Sequence, residues 1–337
     1  MRLFACACGA RIFFENSQCL ACGSELGFVP EALDMATFGP GPDGSTNHGF
    51  RRKCENYAHE GVCNWLVPAE SEDPLCQACE LNRVIPNLSE PENRALWVEV
   101  EKAKRRLVYG LKCLELPVVP KTRDEEHGLA FDIKAEVGDE RVLTGHSDGL
   151  ITLALREADP AEREQIRLQL RERYRTVLGH FRHEVGHYYW DRLVRDGGTL
   201  PEFRELFGDE SVDYAAALKR HYSSSPQLKP DFISTYAAAH PWEDFAETFA
   251  HYLHMVDTLE TAGQFGFTSP TLQPFPGATE DLTALLEEWT KLSVALNSLN
   301  RSMGAPDAYP FAISPQVAEK LAFVHRLVGK RPMSVAA

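Results

Sequence analysis

Apolar positions repeat along the chain with two different periods. Between Asn93 and Leu114 they fall at Leu96, Val100, Ala103, Leu107 and Leu111, a spacing of three to four that predicts a helix. The period then drops to two. LAFDIKAEV (residues 129–137) alternates through Phe131, Ile133, Ala135 and Val137, and GLITLALREA (149–158) through Ile151, Leu153 and Leu155, so both segments read as strands. Asp159-Pro160 followed by Glu162 combines an N-cap acid, a first-turn proline and a capping-box glutamate; it predicts a helix that runs, bent near Gly179, to about Arg195. Pro241 opens another helical pattern through Phe245, Phe249, Leu253 and Val256. EDLTALLEEWTKLSVALNSLN (280–300) and SPQVAEKLAFVHRLVG (314–329) predict two more helices. The expected fold class is α+β, mainly helical with a small sheet.

Cysteine usage divides the chain. Eight of the nine cysteines lie before residue 80. The run VIPNLSEPEN (84–93) has the composition of a linker, and GPGPDGSTNHG (39–49) separates two groups of four cysteines with a stretch unsuited to a regular ladder. The expected organisation is a zinc ribbon over residues 1–38, a second four-cysteine zinc-binding module over 50–92, and a large domain over 93–337. In the first module Cys6-x-Cys8 and Cys19-x-x-Cys22 form two chelating turns, each followed by a glycine, Gly9 or Gly23, that lets backbone amides approach the sulfurs. In the second, Cys54, Cys63, Cys76 and Cys79 end in one Cys-x-x-Cys. Four thiolates fill a tetrahedral zinc, so both sites are structural, suited to scaffolding or to holding a protein partner. Cys113 reads as a small apolar core residue.

Charge and hydropathy remove several classes of partner. With 35 Lys+Arg against 49 Asp+Glu the formal charge is −14, which opposes binding to nucleic acid or anionic membrane. The first residues lack a run of signal-peptide length, and no later stretch approaches the roughly 18 apolar residues of a spanning helix. A cytoplasmic protein is expected, in which disulfides are disfavoured.

The segment HFRHEVGHYYWD (180–191) contains an H-E-x-x-H match at His183, Glu184 and His187. Residues four apart share a helix face, so both imidazoles can reach one zinc while Glu184 flanks the metal. A third protein ligand must come from elsewhere. PWEDFAETFAH places Glu243 and Glu247 four apart with Asp244 one step round, and acids on an otherwise apolar, aromatic helix are costly to bury unless they meet a cation. Glu247, and Asp191 four residues after His187, are candidates to hold a ligand imidazole through its second N–H. His180, His251 and His254 read as structural, and His240 as an N-cap or turn residue.

HEVGH with a later Tyr236 and Glu243-Asp-Phe-Ala-Glu247 resembles the gluzincin group of zinc metallopeptidases, in particular the catalytic domain of anthrax lethal factor. The whole arrangement, two cysteine groups followed by this domain and the closing YPFAISPQVAEKLAFVH, resembles a bacterial family of zinc-binding metallopeptidases with an amino-terminal zinc ribbon. The resemblance implies a zincin-like fold, Glu243 as third zinc ligand and Tyr236 facing the metal. It also implies an edge strand beside the metal, for which GLITLAL is the candidate and on which an extended substrate could pair. On this reading the cofactors are three zinc ions, one catalytic and two structural. Glu184 is the general base towards a peptide or protein substrate, and Tyr236 donates to the developing oxyanion. The alternatives are a non-catalytic zinc-ribbon adaptor that keeps a zincin-like scaffold, and hydrolysis of a non-peptide amide at the same site.

Overall fold

The computed structural model describes residues 1–39, 44–138, 141–170, 172–224, 227–272, 274–275 and 282–329. The chain packs as two units, Met1–Cys113 with Val118–Arg163, and Leu114–Pro117 with Glu164–Ala337.

The first unit begins with hairpins too short to stand without cross-links. Strands β1 (Phe4–Ala5) and β2 (Arg11–Ile12) pair antiparallel, as do β3 (Leu26–Val29) and β4 (Asp34–Thr37). A third antiparallel set joins β5 (Ser45–Thr46), β6 (Gly49–Lys53) and β7 (Leu66–Pro68). The expectation that residues 39–49 hold no ladder is therefore corrected at its carboxyl end, where Ser45 pairs with Phe50 around Gly49 at φ +85°; residues 40–43 lie outside the described residues. Single turns α1 (Glu55–Ala58) and α2 (Gln77–Glu80) start directly after Cys54 and Cys76.

Strand β8 (Asn82–Val84) and helix α3 (Pro91–Cys113) follow, then β9 (Ala130–Lys134), β10 (Gly145–Ser147) and β11 (Leu150–Ala154). The four strands form one mixed sheet in the order β10-β11-β9-β8, with β11–β9 and β8–β9 parallel and β10–β11 antiparallel. Two sequence expectations change here. β9 ends at Lys134 and leaves Val137 78% exposed, because four consecutive residues, Ala130 to Ile133, are buried and no alternation is needed. The GLITLAL strand is β11, an interior strand with both neighbours already paired, so it has no free edge on which a substrate could add.

Ribbon and helix share a core. Phe28 lies against Trp65 and Phe14 with ring centroids 4.8 and 4.9 Å apart, and Tyr109 of α3 closes on Phe14 at 5.3 Å. The apolar stripe of α3, including Trp97, Val100, Leu107, Val108 and Leu111, is buried, and each large side chain so covered contributes roughly 1.5–3 kcal/mol. Lys104 and Glu101, fully buried within that stripe, pair at 2.8 Å. Cys113 is only half-buried at the end of α3 and is not a core residue.

Helix α4 (Pro160–Leu170) spans the division between the units and buries no residue among those described. The single bent helix expected from Asp159 to Arg195 is two helices. Thr176 Oγ1 accepts the Gly179 amide at 2.9 Å and caps a new start, α5 (Val177–Trp190), which ends in a π turn over Asp191–Arg195. The break arises because a local cap satisfies the amides that a continuous helix would have used.

The second unit continues with α6 (Leu200–Phe207), α7 (Tyr214–Ser223), α8 (Pro241–Gln264), α9 (Thr283–Ser302) and α10 (Pro315–Gly329). Neither α6 nor α7 was expected from the pattern. Residues 280–281, the start of one expected helix, lie outside the described residues. No helix among the described residues is long and apolar enough to cross a membrane.

Helices α5 and α8 approach unusually closely. A Cβ built on Gly186 would sit 2.9 Å from the Ala246 Cα and 3.0 Å from its carbonyl oxygen. Gly186 lies inside the H-E-x-x-H segment and Ala246 inside Glu-Asp-Phe-Ala-Glu, so a glycine facing an alanine brings the two polar faces together. Tyr189 stacked on Phe249 at 5.4 Å, and Phe245 packed on Phe203, Phe207 and Phe323, hold that approach from the apolar side.

Candidate metal centres

Residues of the first unit gather their cysteines in two tight groups. Cys6 and Cys22 sulfurs lie 3.6 Å apart, Cys8 and Cys19 3.8 Å, and Cys63 and Cys76 3.7 Å. A disulfide would need about 2.05 Å, whereas tetrahedral zinc with bonds of about 2.3 Å separates its sulfurs by about 3.8 Å. The donor sets fit that ion. Each group offers one sulfur per cysteine, all within 4.8 Å of one another.

Glycine conformation explains the first pair of turns. Gly9 and Gly23 adopt φ of +86° and +77°, and their amides donate to the carbonyls of Cys6 and Cys19 at 2.8 Å. Hydrogen bonds of Cys22 with the Ser24 hydroxyl and amide draw its thiol down to about 6, towards the thiolate a metal requires. The second group differs in burial: all four of its sulfur-bearing residues are buried, while Cys8 and Cys22 of the first are exposed. Burial pushes the Cys63 and Cys76 thiols up, so the full thiolate set there demands a compensating cation.

A third group forms in the second unit. Helix α5 projects His183 and His187 one turn apart, and α8 projects Glu243 from its first turn. His183 Nε2 lies 3.2 Å from His187 Nε2 and 3.0 Å from Glu243 Oε2, and His187 Nε2 lies 3.4 Å from the same oxygen. Three donors this close around one point suit a first-row cation with bonds of about 2.1 Å. Burial opposes charge at His183, yet Glu243 and Glu247 outweigh it and raise its proton affinity; the same field favours a cation between the donors. Glu243 responds in kind, with its pKa held far below the carboxylate range by His183 and His187 despite burial.

The remaining members are fixed from several directions. Glu247 accepts from His183 Nδ1 at 2.8 Å and from Ser234 Oγ at 2.6 Å, which leaves Nε2 of that imidazole turned to the metal position. Burial raises Glu247, but the His183 bond wins and brings its pKa to about 2. The Trp242 ring lies on His187 with centroids 3.8 Å apart. Glu184 is buried beside the three donors; burial raises its pKa, the two histidines oppose this, and its Oε2 has no hydrogen-bond partner among the described residues.

Several other sequence candidates engage partners outside the three donors. Asp244 points to α10, where Lys320 Nζ donates to its Oδ2 at 2.6 Å. Asp191 sits at the end of α5 and accepts from Arg195 at 2.7 Å. His240 is the N-cap of α8: its Nδ1 accepts the Trp242 amide at 3.1 Å, and its Nε2 donates to the Val212 carbonyl at 3.0 Å. His251 bonds Tyr309 OH at 2.8 Å, and His254 Nδ1 lies 3.2 Å from Arg182 Nη1. Tyr236 lies beside His183, ring centroids 5.8 Å apart, and burial together with Glu243 keeps its hydroxyl protonated.

Comparison with known proteins places the chain. Residues 93–327 match the family described as "putative zinc-binding metallo-peptidase", and residues 3–90 match a zinc-ribbon domain. The chain belongs to that family. Proteins described as uncharacterized from Mycobacterium tuberculosis and Mycobacterium bovis are each 43% identical to it over 339 residues, covering 97% of this chain and 95% of theirs. No solved structure matches it. Family membership supports zinc binding and a peptidase domain behind a zinc ribbon, on a mixed fold of helices and small sheets.

Sequence reasoning missed three residues that touch the His183, His187, Glu243 and Glu247 group. Ser234, Trp242 and Tyr214 all touch the cluster, the last through a 2.5 Å hydrogen bond to Glu243 Oε1. Ser234 and Trp242 stand within two residues of flagged positions and could have been noticed; Tyr214 sits 29 residues from Glu243 on a helix that no period announced.

Proposed function

We propose that the protein is a zinc-dependent peptidase of the gluzincin type, with His183, His187 and Glu243 as zinc ligands and Glu184 as the general acid–base. The observation that carries this reading is the convergence of the three donors, within 4.8 Å of one another, beside a buried carboxylate with an unengaged oxygen. Zinc held there lowers the proton affinity of water towards neutral pH and polarises a carbonyl. Glu184, whose proton affinity burial raises, takes the proton from the attacking water and returns it to the leaving amine. Tyr236 stays protonated and donates a hydrogen bond to the oxygen on which charge develops.

The two four-cysteine groups each hold one structural zinc, so the chain binds three ions in all. Their sulfurs, gathered as metal-type clusters instead of disulfides, support a reducing, cytoplasmic location. The substrate is a peptide or protein, and the ribbon faces provide a surface for a protein partner.

The test is Glu184→Gln, assayed on a peptide library alongside metal analysis. Zinc content is expected to stay at three per chain while kcat falls about a hundred- to ten-thousand-fold. Full hydrolysis by this variant would overturn the assignment.

A further inference from the structure

Glu243 has two carboxylate oxygens, and only one faces the histidines. Oε2 lies 3.0 and 3.4 Å from the two imidazole nitrogens, and Oε1 accepts from Tyr214 OH at 2.5 Å. A carboxylate with both oxygens free can rotate between one- and two-oxygen coordination. One held by a hydrogen bond on its outer oxygen cannot. Phenol also suits this role electrostatically: it donates without adding a positive charge, so it does not compete with the metal for the carboxylate.

The hydroxyl is placed by a built arrangement. Tyr214 is the first residue of α7, and its ring meets His240 edge-on at 5.2 Å and Trp242 at 5.9 Å, two residues that shortly precede Glu243 in sequence. Asp213 caps α7 by accepting the Ala216 amide at 2.9 Å. Just upstream, the Val212 carbonyl accepts from His240 Nε2, which ties the start of α7 to the start of α8.

We propose that Tyr214 is the positioning residue for Glu243, locking it as a single-oxygen zinc ligand and setting the metal affinity of the site. This rests on the reading of His183, His187 and Glu243 as zinc ligands, and it acts through Glu243 without touching substrate.

The experiment is Tyr214→Phe in the full chain, which keeps the ring contacts and removes only the hydroxyl. Zinc affinity of the most weakly held ion is measured by chelator competition, with His183→Ala identifying that ion. The expected result is a loss of about 10- to 100-fold in that affinity, with the other two zincs retained. In a Glu243→Ala background the same change is expected to shift affinity less than about twofold, since the hydroxyl then has no carboxylate to hold. Unchanged affinity in Tyr214→Phe, or an equal loss in the Glu243→Ala background, overturns the proposal. If His183→Ala releases no zinc, the ligand reading beneath it falls as well. Should Glu184→Gln keep full activity while Tyr214→Phe loosens zinc, the positioning role stands and the peptidase assignment alone fails.

Discussion

The buried cysteine group and the histidine–glutamate group are built by opposite means. Cys54, Cys63, Cys76 and Cys79 come from 26 consecutive residues, bring four sulfurs to one point and are all buried. His183 and His187 lie some sixty residues from Glu243, and together they supply only three donors, next to a carboxylate with an unengaged oxygen. Four local ligands suit an ion that organises the chain around it; three converging ones suit an ion left accessible for chemistry. On the proposed reading, the metal supports the fold in the first case and the fold supports the metal in the second.

That contrast can be broken most forcefully at Cys79. Cys79→Ser removes one of four buried sulfurs, and because structural zinc couples on the order of 10 kcal/mol to folding, the first unit is expected to lose its cooperative transition. Limited proteolysis and circular dichroism would report it. His183→Ala should leave the same signals intact, and a reversal of the two outcomes would undo the distinction.

A smaller effect sharpens the other side. In Gly186→Ala the new Cβ meets backbone atoms of Ala246 at 2.9 and 3.0 Å, so α5 and α8 must separate. The expected cost is about 1–3 kcal/mol in a denaturant titration, accompanied by loss of the most weakly held zinc while the other two remain. Retention of all three ions at wild-type affinity would show that the helix approach does not set the site.

The most gradual effect is one of acidity, away from the ligands. Burial, reinforced by Arg182 and His251, lowers the His254 pKa from 6.5 to about 3. Arg182 donates to its Nδ1 at 3.2 Å, a bond that needs a neutral ring. Between these values the unfolded chain binds the proton and the folded chain does not, so this contribution is complete above pH 6.5 and falls as pH drops towards 3. The loss approaches about 1.4 kcal/mol per pH unit. His254→Gln, whose amide oxygen can accept from Arg182 without titrating, should fall less steeply than wild type below pH 6.5 at fixed zinc. Parallel slopes would contradict the neutral, buried ring.

Much of the site was legible because metal chemistry leaves short-range marks. Cysteine spacing, the four-residue step from His183 to His187 and the acids on an apolar helix follow from ligand count and helix pitch alone. Helices α3, α8, α9 and α10 were legible for the same reason, their stripes being long enough to show a period. Helix α7 was not, since Tyr214 and its neighbours bury only Ala217 and so carry no apolar stripe. The break before α5 was masked by polar residues compatible with helix until Thr176 caps the new start. β11 was placed at an edge on the family resemblance, which its own alternation could not check, since that reveals a strand but not how many partners it has.

The sequence by itself determined which groups can hold metal, since ligand type and local spacing are properties of the covalent chain. The family resemblance already named Glu243 as the third donor; only the tertiary structure decided that Asp244 turns away to Lys320 and that Tyr214 holds the outer oxygen of Glu243. Those choices depend on the rotation and closeness of α8 against α5, set by Gly186 facing Ala246. Such a contact between distant segments has no counterpart in the period of either helix.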